Sequence, residues 1–104
     1  MDRGEVWWAD LDAPIGTRPI LILTRSAAVP KRNQLVVAQV TRTVRGIASE
    51  VGLTVSDGMP QDCVVNCDVL ITAEKALFLT YISTLSAARM AEVETALKFS
   101  LGLS

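Results

Sequence analysis

The sequence predicts a small, mainly β fold, with short strands closing into a small β-barrel and one C-terminal helix behind them. Three observations carry this. Apolar, β-favouring runs recur at close spacing from Glu5 to Thr84 with no long helical period between them. Strong turn signals, above all Asp57-Gly58-Met59-Pro60, separate the runs. After Ser86 the apolar period lengthens from that of a strand to that of a helix.

Taken in order, Glu5 to Leu11 reads as the first strand and Arg18 to Arg25 as the second, whose unbroken Pro-Ile-Leu-Ile-Leu-Thr core implies burial on both faces. Asp12 to Thr17, holding Pro14 and Gly16, reads as a turn that makes the two strands an antiparallel pair. Ser26 to Asn33, with Pro30 and Lys31-Arg32, reads as a solvated loop. A third strand spans Gln34 to Thr43, Arg45-Gly46 breaks the chain, and Glu50 to Val55 forms a fourth. The fifth covers Asp62 to Val69 and the sixth Leu77 to Thr84. Ser86 caps a helix that Gly102 ends. Its predicted apolar face is Met90, Val93, Ala96, Leu97 and Leu101, with Glu92, Glu94 and Lys98 outward.

At 104 residues, half of them hydrophobic, the expectation is a single domain over residues 1–104. Charges interrupt the apolar runs too often for a membrane span, and Met1-Asp2-Arg3-Gly4-Glu5 lacks the layout of a secretory signal, so a soluble cytoplasmic protein is expected. Cys63 and Cys67 fall on one face of a strand roughly 13 Å apart, too far for a disulfide, and read as core thiols. With no histidine in the chain, neither a metal site nor a cofactor is expected.

A net charge of -1 conceals an asymmetry: no acidic residue lies between Asp12 and Glu50. That stretch holds Arg18, Arg25, Lys31, Arg32, Arg42 and Arg45, six of the ten basic side chains. A guanidinium at the end of a buried strand loses little further entropy on meeting a phosphate and stays charged at physiological pH. A pI of about 5.3 argues against non-specific nucleic-acid binding while allowing a local basic surface.

The ordered set Arg3-Gly4-Glu5-Val6-Trp7-Trp8-Ala9-Asp10-Leu11, Gly16-Thr17-Arg18-Pro19-Ile20-Leu21-Ile22-Leu23, Val40-Thr41, Cys67-Asp68 and Ser100-Leu101-Gly102-Leu103 resembles the MazF/PemK toxin endoribonucleases. The resemblance covers essentially the whole chain. It implies an SH3-like β-barrel with a C-terminal helix, a two-fold homodimer, single-stranded RNA as substrate, and a cognate antitoxin with an acidic, disordered segment. It also implies an active site at Arg18 and Thr41, the positions matching the family's arginine at the start of the second strand and threonine near the end of the third. Arg25, Arg42 and Arg45 are further candidates for RNA binding. The expected chemistry is metal-free attack by the neighbouring 2′-OH, with Arg18 stabilising charge and Thr41 donating a hydroxyl.

The sequence departs from the family at two places. Many members follow Cys-Asp with Gln, an apolar residue and Arg-Thr, whereas Val69-Leu70-Ile71-Thr72 follows here, putting Ile71 in place of the second arginine. The connection between the first two strands is also shorter than in many members.

Other readings stay open on the residues alone. Arg18 also suits a strand-edge charge, and Thr41 an ordinary β-favouring residue. Trp7 and Trp8 point to opposite faces, one to the core and the other to an interface or a base-stacking platform. Arg42 and Arg45 suit solvated charges, and Glu5 and Asp10 surface or ion-paired acids. Two other functions fit the same barrel, a gyrase-binding toxin resembling CcdB and a catalytically inactive SH3-like interaction module.

Overall fold

Alternation along the apolar runs decides which side of the sheet each strand feeds, and the β2 run feeds both. The computed structural model describes residues 1–104. Its strands are β1 (Glu5–Leu11), β2 (Gly16–Ile22), β3 (Gln34–Thr41), β4 (Glu50–Leu53), β5 (Cys63–Glu74) and β6 (Phe78–Thr84), followed by helix α1 (Ala87–Leu101). They form one six-stranded sheet in the order β4-β5-β3-β2-β1-β6, antiparallel at every pairing. The sheet curls into a half-barrel. Leu21 and Leu23 join the larger core cluster under α1, while Ile20 and Ile22 join a second cluster with Val29, Leu35 and Phe78. Burial on both faces of this strand therefore holds as expected.

Several boundaries move for local reasons. The β1–β2 turn is tighter than Asp12 to Thr17, because the Asp12 carbonyl accepts from the N–H of Ile15 at 3.1 Å and of Gly16 at 3.4 Å, and Gly16 supplies the positive φ of 75°. Strand β2 stops at Ile22 rather than Arg25. Beyond it, Thr24 Oγ1 takes the Val36 N–H at 2.8 Å, and the Arg25 carbonyl opens a new turn. The 26–33 segment is not wholly solvated, since a 3-10 turn at Val29–Lys31 buries Val29 in the second cluster. Likewise β3 ends at Thr41 and β4 at Leu53, where Thr54 and Asp57 form a capping box around the 3-10 turn Val55–Asp57.

The longest correction is β5, which runs to Glu74 rather than Val69. Its pairing with β3 jumps from Gln39↔Asn66 to Ala38↔Leu70, so Cys67 to Val69 have no partner on β3 and the strand bends. Cys63 and Cys67 are free and buried in the larger cluster, matching the core-thiol reading.

Strands β4 and β6 are the sheet edges, yet the gap between them is bridged. Ser83 of β6 donates its hydroxyl to the Asp57 carbonyl in the turn after β4. Helix α1 begins as expected, with Ser86 Oγ accepting from the Arg89 N–H at 3.1 Å, and ends at Gly102. Val93 and Ala96 are buried and Met90 and Leu97 partly so, but Leu101 is exposed. One position earlier, Ser100 faces the sheet and donates to the Cys67 carbonyl at 2.9 Å and to Asp68 at 2.8 Å, which turns Leu101 outward. No helix is long and apolar enough to cross a membrane.

Candidate active site

The last paired rung between β2 and β3 is Ile20↔Gln39. Extending that register by two residues on each strand brings Arg18 to the level of Thr41, although the strands no longer pair there. Both line a cleft of about 630 Å³ at this end of the barrel, together with Arg42 and Thr43. Here β2 and β3 have stopped pairing, so side chains rather than neighbouring strands fill the gap.

Arg18 is exposed, and its Nε–H donates to the Ile15 carbonyl at 3.3 Å. That bond ties the guanidinium to the β1–β2 turn, and its two terminal nitrogens make no hydrogen bond within the protein. Thr41 Oγ1 accepts the Thr43 N–H at 3.2 Å. A hydroxyl that accepts in this way keeps its own proton to donate. Arg42 adds a second cation, and no acidic residue is among those lining the site. The lining also lacks carboxylates and imidazoles, and its single thiol, Cys63, is buried.

The opposite wall differs in character. Trp8, Pro19 and Met59 belong to it, and it is closed by Pro60 and Gln61 from the turn between β4 and β5. Met59 is buried in the larger cluster and anchors this turn. The turn signal was legible in the sequence, but its return over the cleft was not.

The other candidates separate. Arg25 lies beyond the far end of β2, seven residues and roughly 23 Å of extended chain from Arg18, and does not line the cleft. Arg45 shares the β3–β4 loop with Arg42 but sits outside the lining. Its N–H donates to the Glu50 carboxylate at 3.0 Å, and its charge helps to lower the Asp68 pKa, which is held down chiefly by hydrogen bonds from Ser49 and Ser100. Ile71 pairs with Val37 and packs half-buried against the second cluster, outside the cleft lining. Glu5 makes no ion pair but accepts the indole N–H of Trp7 at 2.8 Å.

A second concavity, of about 640 Å³, lies at the other end of β3, between Arg32 and Lys75. It contains Glu74, and its Lys75 ammonium is already donated to the Val29 carbonyl. The Arg18–Thr41 cleft, by contrast, has two arginines and no carboxylate in its lining.

Comparison with known proteins agrees with this architecture. The family model for the PemK-like, MazF-like toxin of type II toxin-antitoxin systems matches residues 2–101. A curated relative, the probable endoribonuclease MazF5 of Mycobacterium tuberculosis, is 40% identical over 103 residues, covering 98% of this chain and 94% of its own. Among solved structures, the Mycobacterium tuberculosis toxin MazF-mt6 superposes with a TM-score of 0.89 at 32% identity, covering 96% of this chain and 98% of that one. An endoribonuclease in complex with its cognate antitoxin, from a mycobacterial species, gives a TM-score of 0.89 at 30% identity and covers 100% of this chain and 97% of that one. By a family match along almost its entire length, borne on a six-stranded half-barrel with the expected C-terminal helix, this chain belongs to the PemK-like, MazF-like toxins of type II toxin-antitoxin systems.

Proposed function

We propose that this MazF-type endoribonuclease toxin cuts single-stranded RNA at selected sequences, without a metal ion, and thereby blocks translation and growth. The observation that carries the reading is the juxtaposition of Arg18 and Thr41 in a cleft with Arg42 and no lining acid. Such a site attracts a phosphodiester and offers directed donors to its non-bridging oxygens.

RNA brings its own nucleophile, so the protein's task is positioning and charge stabilisation. The 2′-oxygen bonds to phosphorus and loses its proton to solvent water, while the bond from phosphorus to the 5′-oxygen breaks and that oxygen takes a proton from solvent water. Arg18 stabilises the negative charge that accumulates on the phosphoryl oxygens, and Thr41 adds one hydrogen bond. A guanidinium stays protonated and is therefore suited to this role rather than to that of a base. The products are a 2′,3′-cyclic phosphate and a free 5′-OH.

A two-fold homodimer is part of the proposal, with RNA in the groove between subunits. Leu79 and Tyr81 on edge strand β6, each about half exposed, and Phe99 on α1 supply apolar surface for association. Light scattering at micromolar concentration tests it, and a monomer would count against it. The cationic cleft also suits an acidic disordered segment of an antitoxin, which then competes with RNA. The deciding experiment is RNA cleavage in EDTA with end-group analysis. Cyclic-phosphate and 5′-OH ends support the mechanism. Loss of cleavage on chelation, or 5′-phosphate ends, would overturn it, and gyrase-dependent DNA breakage without RNA cleavage would favour the topoisomerase-poison reading.

A further inference from the structure

We propose that Trp8 and Gln61 form a base-reading subsite in the cleft: Trp8 stacks on one nucleobase beside the scissile phosphate, and the Gln61 amide reads that base's edge. The proposal rests on the ribonuclease reading above and adds the residues that select the sequence.

The two adjacent tryptophans have different situations. Trp7 is fully employed within the fold: its indole N–H donates to Glu5 at 2.8 Å, and its ring packs edge-on against Phe78 and Tyr81 at 6.0 and 5.9 Å. Trp8 takes part in neither of these aromatic contacts, is half-buried, and lines the cleft. Alternation along β1 places it on the face opposite Trp7. Pro19, its partner across the β1–β2 pair, also lines the cleft, and Met59 extends the apolar wall.

Gln61 completes this wall with an exposed side chain carrying both a donor and an acceptor. The turn leading to it is held. Met59 is buried two residues earlier, Gly58 takes a left-handed φ of 84°, and Asp57 is bound to the Thr54 N–H at 2.8 Å and to Arg89 at 3.0 Å. An amide on a fixed turn selects a hydrogen-bonding edge at a smaller entropy cost than one on a mobile loop.

The two walls thus divide as a nucleotide does. Arg18, Thr41 and Arg42 bring cations and a hydroxyl to one part of the lining, while Trp8 and Pro19, which alternate to the other sheet face from Arg18, bring apolar surface to another part of the same cleft. Stacking tolerates any base, so discrimination falls to Gln61, whose paired donor and acceptor match an edge offering an acceptor beside a donor.

The test uses the full chain, a randomised single-stranded RNA pool with cut sites mapped by sequencing, and binding of oligonucleotides carrying a 2′-deoxy nucleotide at the mapped cut site. Wild type is expected to show a strong base preference next to the cut, in cleavage and in binding. Gln61→Ala should reduce the preference at that one position by on the order of 10-fold and leave the others intact. Gln61→Glu, which exchanges the donor for an acceptor, should change the preferred base. Trp8→Ala should weaken binding to all bases, and Trp8→Phe should restore most of it. An unchanged preference in Gln61→Ala, or unaltered RNA binding in a folded Trp8→Ala protein, overturns the subsite. Failure of wild type to cut any RNA removes the ribonuclease reading instead, and binding of the randomised pool, sequenced after selection on wild type, Gln61→Ala and Trp8→Ala, then judges the subsite by itself.

Discussion

Arg89 donates its Nε–H to Asp57 at 3.0 Å, tying the first turn of α1 to the turn that walls the cleft. The Asp57 side chain is only 10% exposed, and its other oxygen accepts the Thr54 N–H at 2.8 Å. One carboxylate thereby caps a 3-10 turn and anchors it to the helix. Asp57→Ala removes both bonds and should cost about 1–2 kcal/mol. Asp57→Asn keeps an acceptor for the cap and should cost less. Urea unfolding measures both, and equal losses in the two variants would mean that the cap contributes nothing.

Asp57 also sets a pH dependence. Its pKa lies below the usual 3.8, mainly through the hydrogen bond from Arg89, and that of Asp68 is lowered mainly through Ser49 and Ser100. Each carboxyl therefore binds a proton less readily in the folded state than in the unfolded state. Their stabilising contribution is complete above the unfolded value near 3.8 and is lost as pH falls through the lower folded values. Unfolding free energy should decline on acidification below about pH 4, and Asp57→Asn should show a shallower decline. The same slope in wild type and variant between pH 3 and 5 would remove Asp57 from the account.

Cys63 and Cys67 should be silent towards thiol reagents in the native protein. Burial, and next the charge of Asp68, push the Cys67 thiol up to about 11, and burial is likewise the main reason that Cys63 is raised. At pH 8 a thiol with that value is ionised to on the order of one part in 10³. Labelling with a disulfide reagent should therefore follow global unfolding, and rapid labelling of folded protein would show that these thiols open to solvent locally.

The sequence and the structure agree best where one residue and its near neighbours decide the outcome. Ser86 and Gly102 bound α1 because a hydroxyl cap and a left-handed residue act locally, and β1 falls on the predicted Glu5 to Leu11. Arg18 and Thr41 were legible through the family pattern, and the fold brings both into the lining of one cleft. What depends on contacts distant in sequence was hidden. The bend at Cys67 to Val69 exists only against β3, so periodicity ended β5 early. The basic stretch reads as one cluster along the chain, but β2 carries Arg25 to the far end of the sheet from Arg18. The turn at Asp57 to Pro60 was plain, whereas its place over the cleft comes from Arg89 and Ser83, about 30 residues away.

The site itself is tested at Arg18 and Thr41. Arg18 is exposed and held only through its Nε–H, so Arg18→Ala should alter stability by no more than about 0.5 kcal/mol. The same change removes the fork that faces the developing charge, and the cleavage rate should fall by on the order of 10² to 10³. Arg18→Lys should recover only part of this, because an ammonium on a flexible stem cannot reproduce two directed bonds from a fixed plane. Thr41→Val removes the proposed donor and also frees the Thr43 N–H, so its loss should be smaller in rate and accompanied by a loosened loop. Thr41→Ser keeps the hydroxyl and should restore both. Single-turnover cleavage on a defined RNA, with unfolding measured in parallel, separates these effects. A folded Arg18→Ala protein that cuts at the wild-type rate would remove Arg18 from the active site, and a Thr41→Val protein with unchanged rate would leave Thr41 as an ordinary strand residue.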